Sequence, residues 1–190
     1  MSDKVNIGTN AFVYPMPMTL VGATVEGRAN FMAVAWVSRV NRTPPMIGVA
    51  LNKRHHTPTG IREHGTFSIN IPGADLMVQT DYCGLVSGRE RDKSGVFEVF
   101  YGELETAPMI EQCPLCLECR LVEMVALPTN HLFVGEIVAA YAVEDCLVDG
   151  KPDVGKIKPF VLTMPDNNYW TVGQHVGKAW AAGNEFRPGS

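Results

Sequence analysis

The sequence lacks the glycine-rich signatures that most often announce a nucleotide site. It contains no G-x-G-x-x-G and no G-x-x-x-x-G-K-[ST], so neither a dinucleotide-binding Rossmann turn nor a P-loop is signalled. It contains no G-x-S-x-G elbow and no Ser/His/Asp or Cys/His arrangement at useful spacing, which leaves acid–base or covalent catalysis by side chains with little support. It has no excess of positive charge. The 16 Lys+Arg stand against 20 Asp+Glu, a net charge of −4, so no global field draws in nucleic acid. No apolar run reaches the roughly 18 residues of a transmembrane helix, and MSDKVNIG lacks the apolar centre of a signal peptide. With an odd number of cysteines, five, these features lead us to expect a cytoplasmic protein with free thiols and no membrane or nucleic-acid partner.

What remains is 190 residues at 46% hydrophobic and 19% charged, enough for one domain with a substantial core. The strongest signals lie between Asn30 and Thr57. Phe31–Val40 and Met46–Leu51 read as two central strands, separated by NRTPP, whose prolines cannot donate to a ladder. Thr19–Gly27 reads as a strand ending in a Glu26-Gly27 turn, and Thr66–Ile71 as another strand. Thr57 to His64 has room for two helical turns, with Thr57 as N-cap and Pro58 at the first helical position. Gly73–Val86 reads as a helix with Leu76, Met77, Thr80 and Cys83 or Gly84 near one face, and Val96–Glu105 as extended.

Leu115–Val125 alternates. Leu115, Leu117, Cys119, Leu121 and Val125 share one face, with Glu118 and Arg120 on the other, which describes a half-buried strand. His131–Val143 is apolar on both faces, as between two layers or at a subunit contact. Strands follow one another without regular helical crossovers, so the expected fold is mainly β, a closed antiparallel barrel with inserted helices.

The second central strand empties into Asn52, Lys53, Arg54, His55, His56 and Thr57, a run of donors just before a helix start. Such a loop suits a phosphate, and its bland alternative is a solvated turn. Ala33 and Ala35 would let a flat ligand approach the backbone. Trp36 would stack on or edge a ring, or simply fill the core. Ser38 and Arg39 add donors at a strand end. The adjacent His55 and His56 diverge, and so make a poor metal pair. Cys113, Cys116 and Cys119 show CxxCxxC spacing, as in part of a zinc or iron–sulfur motif, but a fourth near ligand is missing. Residues three apart in a strand face opposite ways, so Cys113 and Cys119 should point away from Cys116, as core thiols.

In their order along the chain, YPMPMTLVGA, NFMAVAWVSRVNRTPPMIGVAL, KRHHT, TFSINI, DYCGLVSGRERDK, PLCLECRLVE, HLFVGEIV and VDGKPDVGKIKPF resemble flavoredoxin and its relatives in the flavin reductase-like, FMN-binding split-barrel family. The resemblance spans nearly the whole chain. It implies one Greek-key-like split β-barrel domain over 1–190, with 1–13 an arm and 160–190 a C-terminal extension. It implies a homodimer holding FMN noncovalently near the subunit interface. By position, Ala33, Val34, Ala35 and Trp36 would line the isoalloxazine, with Ser38 and Arg39 near its polar edge or the ribityl chain. Asn52, Lys53, His55 and Thr57 would hold the ribityl and phosphate, and Lys93 would reach the phosphate region. The implied activity is oxidoreduction, with electrons from NAD(P)H or a redox partner passing through FMN to an acceptor. Two alternatives are an FMN electron carrier without its own nicotinamide site, and a non-enzymatic barrel binding another ligand such as haem.

Overall fold

The computed structural model describes residues 3–187. In chain order the strands are β1 (Met16–Pro17), β2 (Thr19–Val25), β3 (Arg28–Val34), β4 (Val37–Asn41), β5 (Met46–Asn52), β6 (Thr66–Ile71), β7 (Val99–Phe100), β8 (Met109–Ile110), β9 (Leu115–Ala126), β10 (Asn130–Ala142), β11 (Leu147–Val148), β12 (Lys151–Pro152), β13 (Phe160–Thr163) and β14 (Asn168–Thr171). The helices are α1 (Thr57–His64), α2 (Met77–Leu85) and α3 (Val154–Ile157).

Seven strands form one antiparallel sheet in the order β3-β2-β6-β9-β10-β5-β4. Its inner face is closed around one core. Val21 and Ala23, Met32 and Val34, Ile47, Val49 and Leu51, Phe67 and Ile69, Cys119 and Phe133 come from six strands, with Val37 of the seventh packed against them and Ile61 of α1 joining the cluster. This is the mainly β barrel expected. The β2–β3 turn sits at Glu26-Gly27, with both residues at positive φ (52° and 73°), the twist that two-residue hairpins favour.

The run Phe31–Val40 is not one central strand. It breaks at Ala35–Trp36, and its halves, β3 and β4, are the two ends of the sheet. The Trp36 carbonyl still accepts from Ala50 N–H at 3.0 Å. The barrel is therefore split where this apolar run crosses it. At α1, His56 rather than Thr57 holds the N-cap position. Thr57 is one residue further in, and its hydroxyl is turned to Asn30. The other end follows the usual rule, with Gly65 left-handed at φ 66° and its N–H bonded to Ile61 O at 2.9 Å.

A second core covers the outer face of β2 and β3. Leu20 and Phe31 pack there with Leu76, Cys83, Phe97, Met109, Ile110, Cys113 and Cys116. Two expectations fail because of this cover. On the second face of β9 Glu118 is fully buried, although Arg120 is exposed as expected; Val125, past the register shift at Val122, is exposed on its own account. Cys113 lies before β9, outside the alternation, and shares the outer core with Cys116, whereas Cys119 faces inward. Only Val99–Phe100 of the stretch Val96–Glu105 is strand, and Met77 is exposed on its helix. Beyond the barrel, β13 pairs with β1 and β14, which ties residues 160–171 to the chain near the N-terminal arm.

Candidate functional site

A line of clefts runs along β3 toward the split. The one nearest the split is about 410 Å³ and is lined by Met32 to Trp36, by Ala50 to Asn52 of β5, and by His55, Asn130, Leu162 and Met164. Its neighbour, about 280 Å³, shares Met32, Ala33 and His55 with it and adds Arg54, His56, Thr57, Lys93 and the backbone segment 83–88. The first is mostly apolar and is bordered by residues of β3 and β5. The second gathers cationic and hydroxyl groups. Further clefts continue at each end, one of about 730 Å³ around Phe12, Ala35, Trp36 and Ser38, and a polar one of about 310 Å³ around Arg28, Asn30 and Arg89 to Lys93.

Small residues border the apolar cleft. Ala33 lies so near α2 that a side chain on Gly84 would meet its methyl at 3.2 Å. Val34 packs in the core and also borders the cleft. Trp36, 47% exposed, stands at the split with Phe12, ring centroids 6.5 Å apart. The donor loop is shaped by Asn52, whose Oδ1 accepts from Arg54 N–H at 3.0 Å and whose carbonyl accepts from His55 N–H at 3.1 Å. This side-chain mimic of a turn delivers His55, His56 and Thr57 to the cleft.

Burial lowers the pKa of both histidines, with the Lys93 charge adding to the effect, so each is held neutral near pH 7. Nδ1 of His56 is buried without a partner. Lys93 is itself buried and donates to Cys83 O (3.2 Å) and Val86 O (3.3 Å), carbonyls at the end of α2. Burial lowers its pKa. The same burial pushes the Cys83 thiol up to about 11, against the opposing pull of Lys93, so this cysteine stays protonated in the cleft wall.

The structure thus brings together Ala33, Val34, Ala35, Trp36, Asn52, His55, Thr57 and Lys93, with Ser38 in the adjoining cleft. Two expected residues stand apart. Arg39 is bound to its own hairpin through Asn41 O (2.7 Å) and Arg42 O (3.3 Å). The Lys53 ammonium donates to Pro128 O at 3.3 Å, away from the cleft line. Arg54 and His56 line the polar cleft and were legible as donors in the loop. Asn30 and the wall from Cys83 to Gly88 were not assigned, and nothing local in the sequence marks them. The described residues contain no group of three or more His, Cys, Asp or Glu able to hold a metal, and no helix long and apolar enough to cross a membrane.

An antiparallel barrel split at one seam, with a mostly apolar cleft beside a pocket of donors, has the chemistry to accept a flat ring system that carries an anionic tail. The family described as flavin reductase like domain matches residues 11–157, and the chain belongs to this family. A flavoredoxin from Methanosarcina acetivorans is 60% identical, with a TM-score of 0.94 over 96% of this chain and 98% of that one. The flavoredoxin of Desulfovibrio vulgaris is 34% identical, with a TM-score of 0.89 over 95% of this chain and all of that one (100%). An FMN reductase (NADH) of Pseudomonas syringae is 29% identical over 116 residues, covering 59% of this chain and 61% of that protein. The chain's function is accordingly of the flavin reductase type.

Proposed function

We propose that the chain holds one FMN noncovalently along β3 and uses it to pass electrons from a nicotinamide to an acceptor. The observation that carries this reading is the adjacency of the two clefts, one mostly apolar, the other rich in donors, which share Met32, Ala33 and His55. The residues fit the group. The backbone of Ala33 to Trp36 and the small Ala50 offer a flat wall to the ring. Arg54, His55, His56 and Thr57 would hold the phosphate, with the unpartnered Nδ1 of His56 and the free hydrogen of the Thr57 hydroxyl among the available donors. When bound, the flavin supplies the redox chemistry, and the protein supplies binding, orientation and electrostatics. With no Rossmann turn, the nicotinamide would lie in the open cleft beside Trp36 and Phe12. We further propose that the protein acts as a homodimer and delivers electrons to a partner protein or free flavin. The exposed Val122, Met124 and Val125 in the last part of β9, with Leu127 in the turn after it, support the dimer.

The test is a visible spectrum of the purified protein with FMN, repeated without oxygen after NADH and then NADPH. A flavin spectrum that bleaches with one of them is expected, and the effective reductant is the donor. Bleaching by dithionite alone would exclude the nicotinamide. A protein that takes up no FMN would overturn the reading.

The two histidines give this site a pH dependence. Their folded pKa values lie below 6.5. As pH falls through 6.5 the unfolded chain binds protons before the folded one does, so the ligand-free fold loses stability, fully so below the folded values. A phosphate beside them favours the charged form and opposes this loss. Thermal melts from about pH 7.5 to about pH 5 should therefore fall more steeply without FMN than with it. A paired His55→Gln, His56→Gln variant should remove the difference. Equal slopes in the original protein would place the phosphate elsewhere.

A further inference from the structure

We infer that Asn30 is a positioning residue that makes this site select a phosphorylated flavin, acting through the Thr57 hydroxyl; the inference rests on the FMN reading above. Asn30 is on β3 and is buried, as is Thr57 at the start of α1. The Asn30 amide donates to Thr57 Oγ1 at 2.8 Å. An amide N–H can only donate, so the hydroxyl must accept there, and its own hydrogen is directed elsewhere. Among the described residues it has no acceptor in the chain, and Thr57 lines the polar cleft. A hydroxyl fixed in this way is a donor aimed at an anion. Without Asn30 it would be free to rotate, or to use its hydrogen on a backbone carbonyl.

The other end of the same amide explains why the arrangement is rigid. A side chain on Gly88 would run into Asn30 Oδ1, with Asn30 Cγ at 3.2 Å and His56 Cδ2 at 2.9 Å. Gly88 is in the opposite wall of the cleft. Asn30, which itself lines the adjoining cleft around Arg28 and Arg89 to Lys93, therefore lies close to the backbone of Gly88 on one side and orients the Thr57 donor on the other. The bare glycine is what permits the close approach.

Riboflavin is the discriminating probe, because it has the ring and ribityl chain of FMN and lacks only the phosphate. The measurement is the Kd of FMN and of riboflavin for the full chain and for Asn30→Ala, Thr57→Val and the double variant. We expect the original protein to prefer FMN. Each single substitution should weaken FMN about tenfold, the cost of one hydrogen bond to a charged group, and change riboflavin less than about twofold. The double variant should be no weaker than either single one, because both remove the same donor. Additive losses would overturn the inference, and so would equal losses for FMN and riboflavin. If the original protein binds both flavins equally, the phosphate reading of the cleft fails, and Asn30 with it. Should Asn30→Ala fail to fold, Asn30→Asp keeps the shape of the side chain. Its carboxylate accepts the Thr57 hydrogen, so it should lose FMN by at least as much with riboflavin unchanged; a loss shared by both probes would again overturn the role.

Discussion

Replacement of Glu118 by alanine is expected to destabilise the fold by about 3 kcal/mol, the scale of two backbone hydrogen bonds to a charged acceptor. The carboxylate is fully buried on β9. Its two oxygens accept from Glu103 N–H at 2.9 Å and Leu104 N–H at 2.8 Å, with Tyr141 OH at 3.5 Å beside them. These contacts fasten the loop that leads into β8, and β8 in turn covers the outer core through Met109 and Ile110. Alanine would leave both N–H groups without their acceptor and open a void under the loop. For a chain of this size the melting temperature should fall by roughly 6–12 °C. Glu118→Gln, which keeps one acceptor oxygen, should fall between the two. A Glu118→Ala protein that melts with the original would show that water replaces the carboxylate without cost.

Glu118 also marks where the sequence is hard to read. Its strand alternates cleanly, and alternation normally separates a core face from a wet one. The inner half of that pattern held for Leu117, Cys119 and Leu121. The outer half held for Arg120, which is exposed, and failed for Glu118, because the segment that covers it has no periodicity of its own. Phe97, Met109 and Ile110 are scattered among prolines and short turns, and their packing on β9 depends on contacts distant in sequence. Cys113 was misplaced for the same reason, being read into a strand that begins two residues later. The break at Ala35–Trp36 was hidden by chemistry: neither residue is a turn former, and the apolar run continues across it. By contrast, the Glu26-Gly27 hairpin and the helix after Pro58 carried local signals and appear where they were expected.

The site divides along the same line. The donor loop was legible because strand, polar loop and helix start are adjacent in sequence. Its opposing wall, Cys83 to Gly88, arrives from the end of α2 and is recognised only once β3 is seen to lie between them. Lys93 came from resemblance alone. The structure places its ammonium on the last carbonyls of α2, where a buried cation is held by the helix end as well as facing the cleft. Lys53, also a lysine and only four residues before α1, is turned away by the neighbouring strand connection. Charge in a loop signals a site, and the direction of each side chain is decided by what packs beside it.

Gly60→Ala is expected to weaken the fold and the site together. Gly60 lies in the middle of α1 where that helix crosses β2. An added methyl would stand inside the van der Waals shell of Thr24 O, with Val25 Cγ2 at 2.8 Å and Thr24 C at 2.9 Å. Two of these three atoms are backbone, so no rotamer change can relieve the overlap, and the helix must move. Alanine is the better helix former by up to about 1 kcal/mol, but overpacking of this kind costs roughly 3 kcal/mol. The net result should be a destabilisation of about 2 kcal/mol and a melting temperature lower by roughly 4–8 °C. The same displacement carries Thr57, three residues earlier on the helix, away from Asn30 on β3. FMN affinity should therefore drop by at least about tenfold in protein that is still folded at the assay temperature. An exposed control, Gly95→Ala, has nothing within 4 Å of the added methyl and should leave both measurements unchanged. If Gly60→Ala lowers stability and leaves FMN binding intact, the helix position and the phosphate pocket are independent, and the coupling of α1 to the site proposed here is wrong.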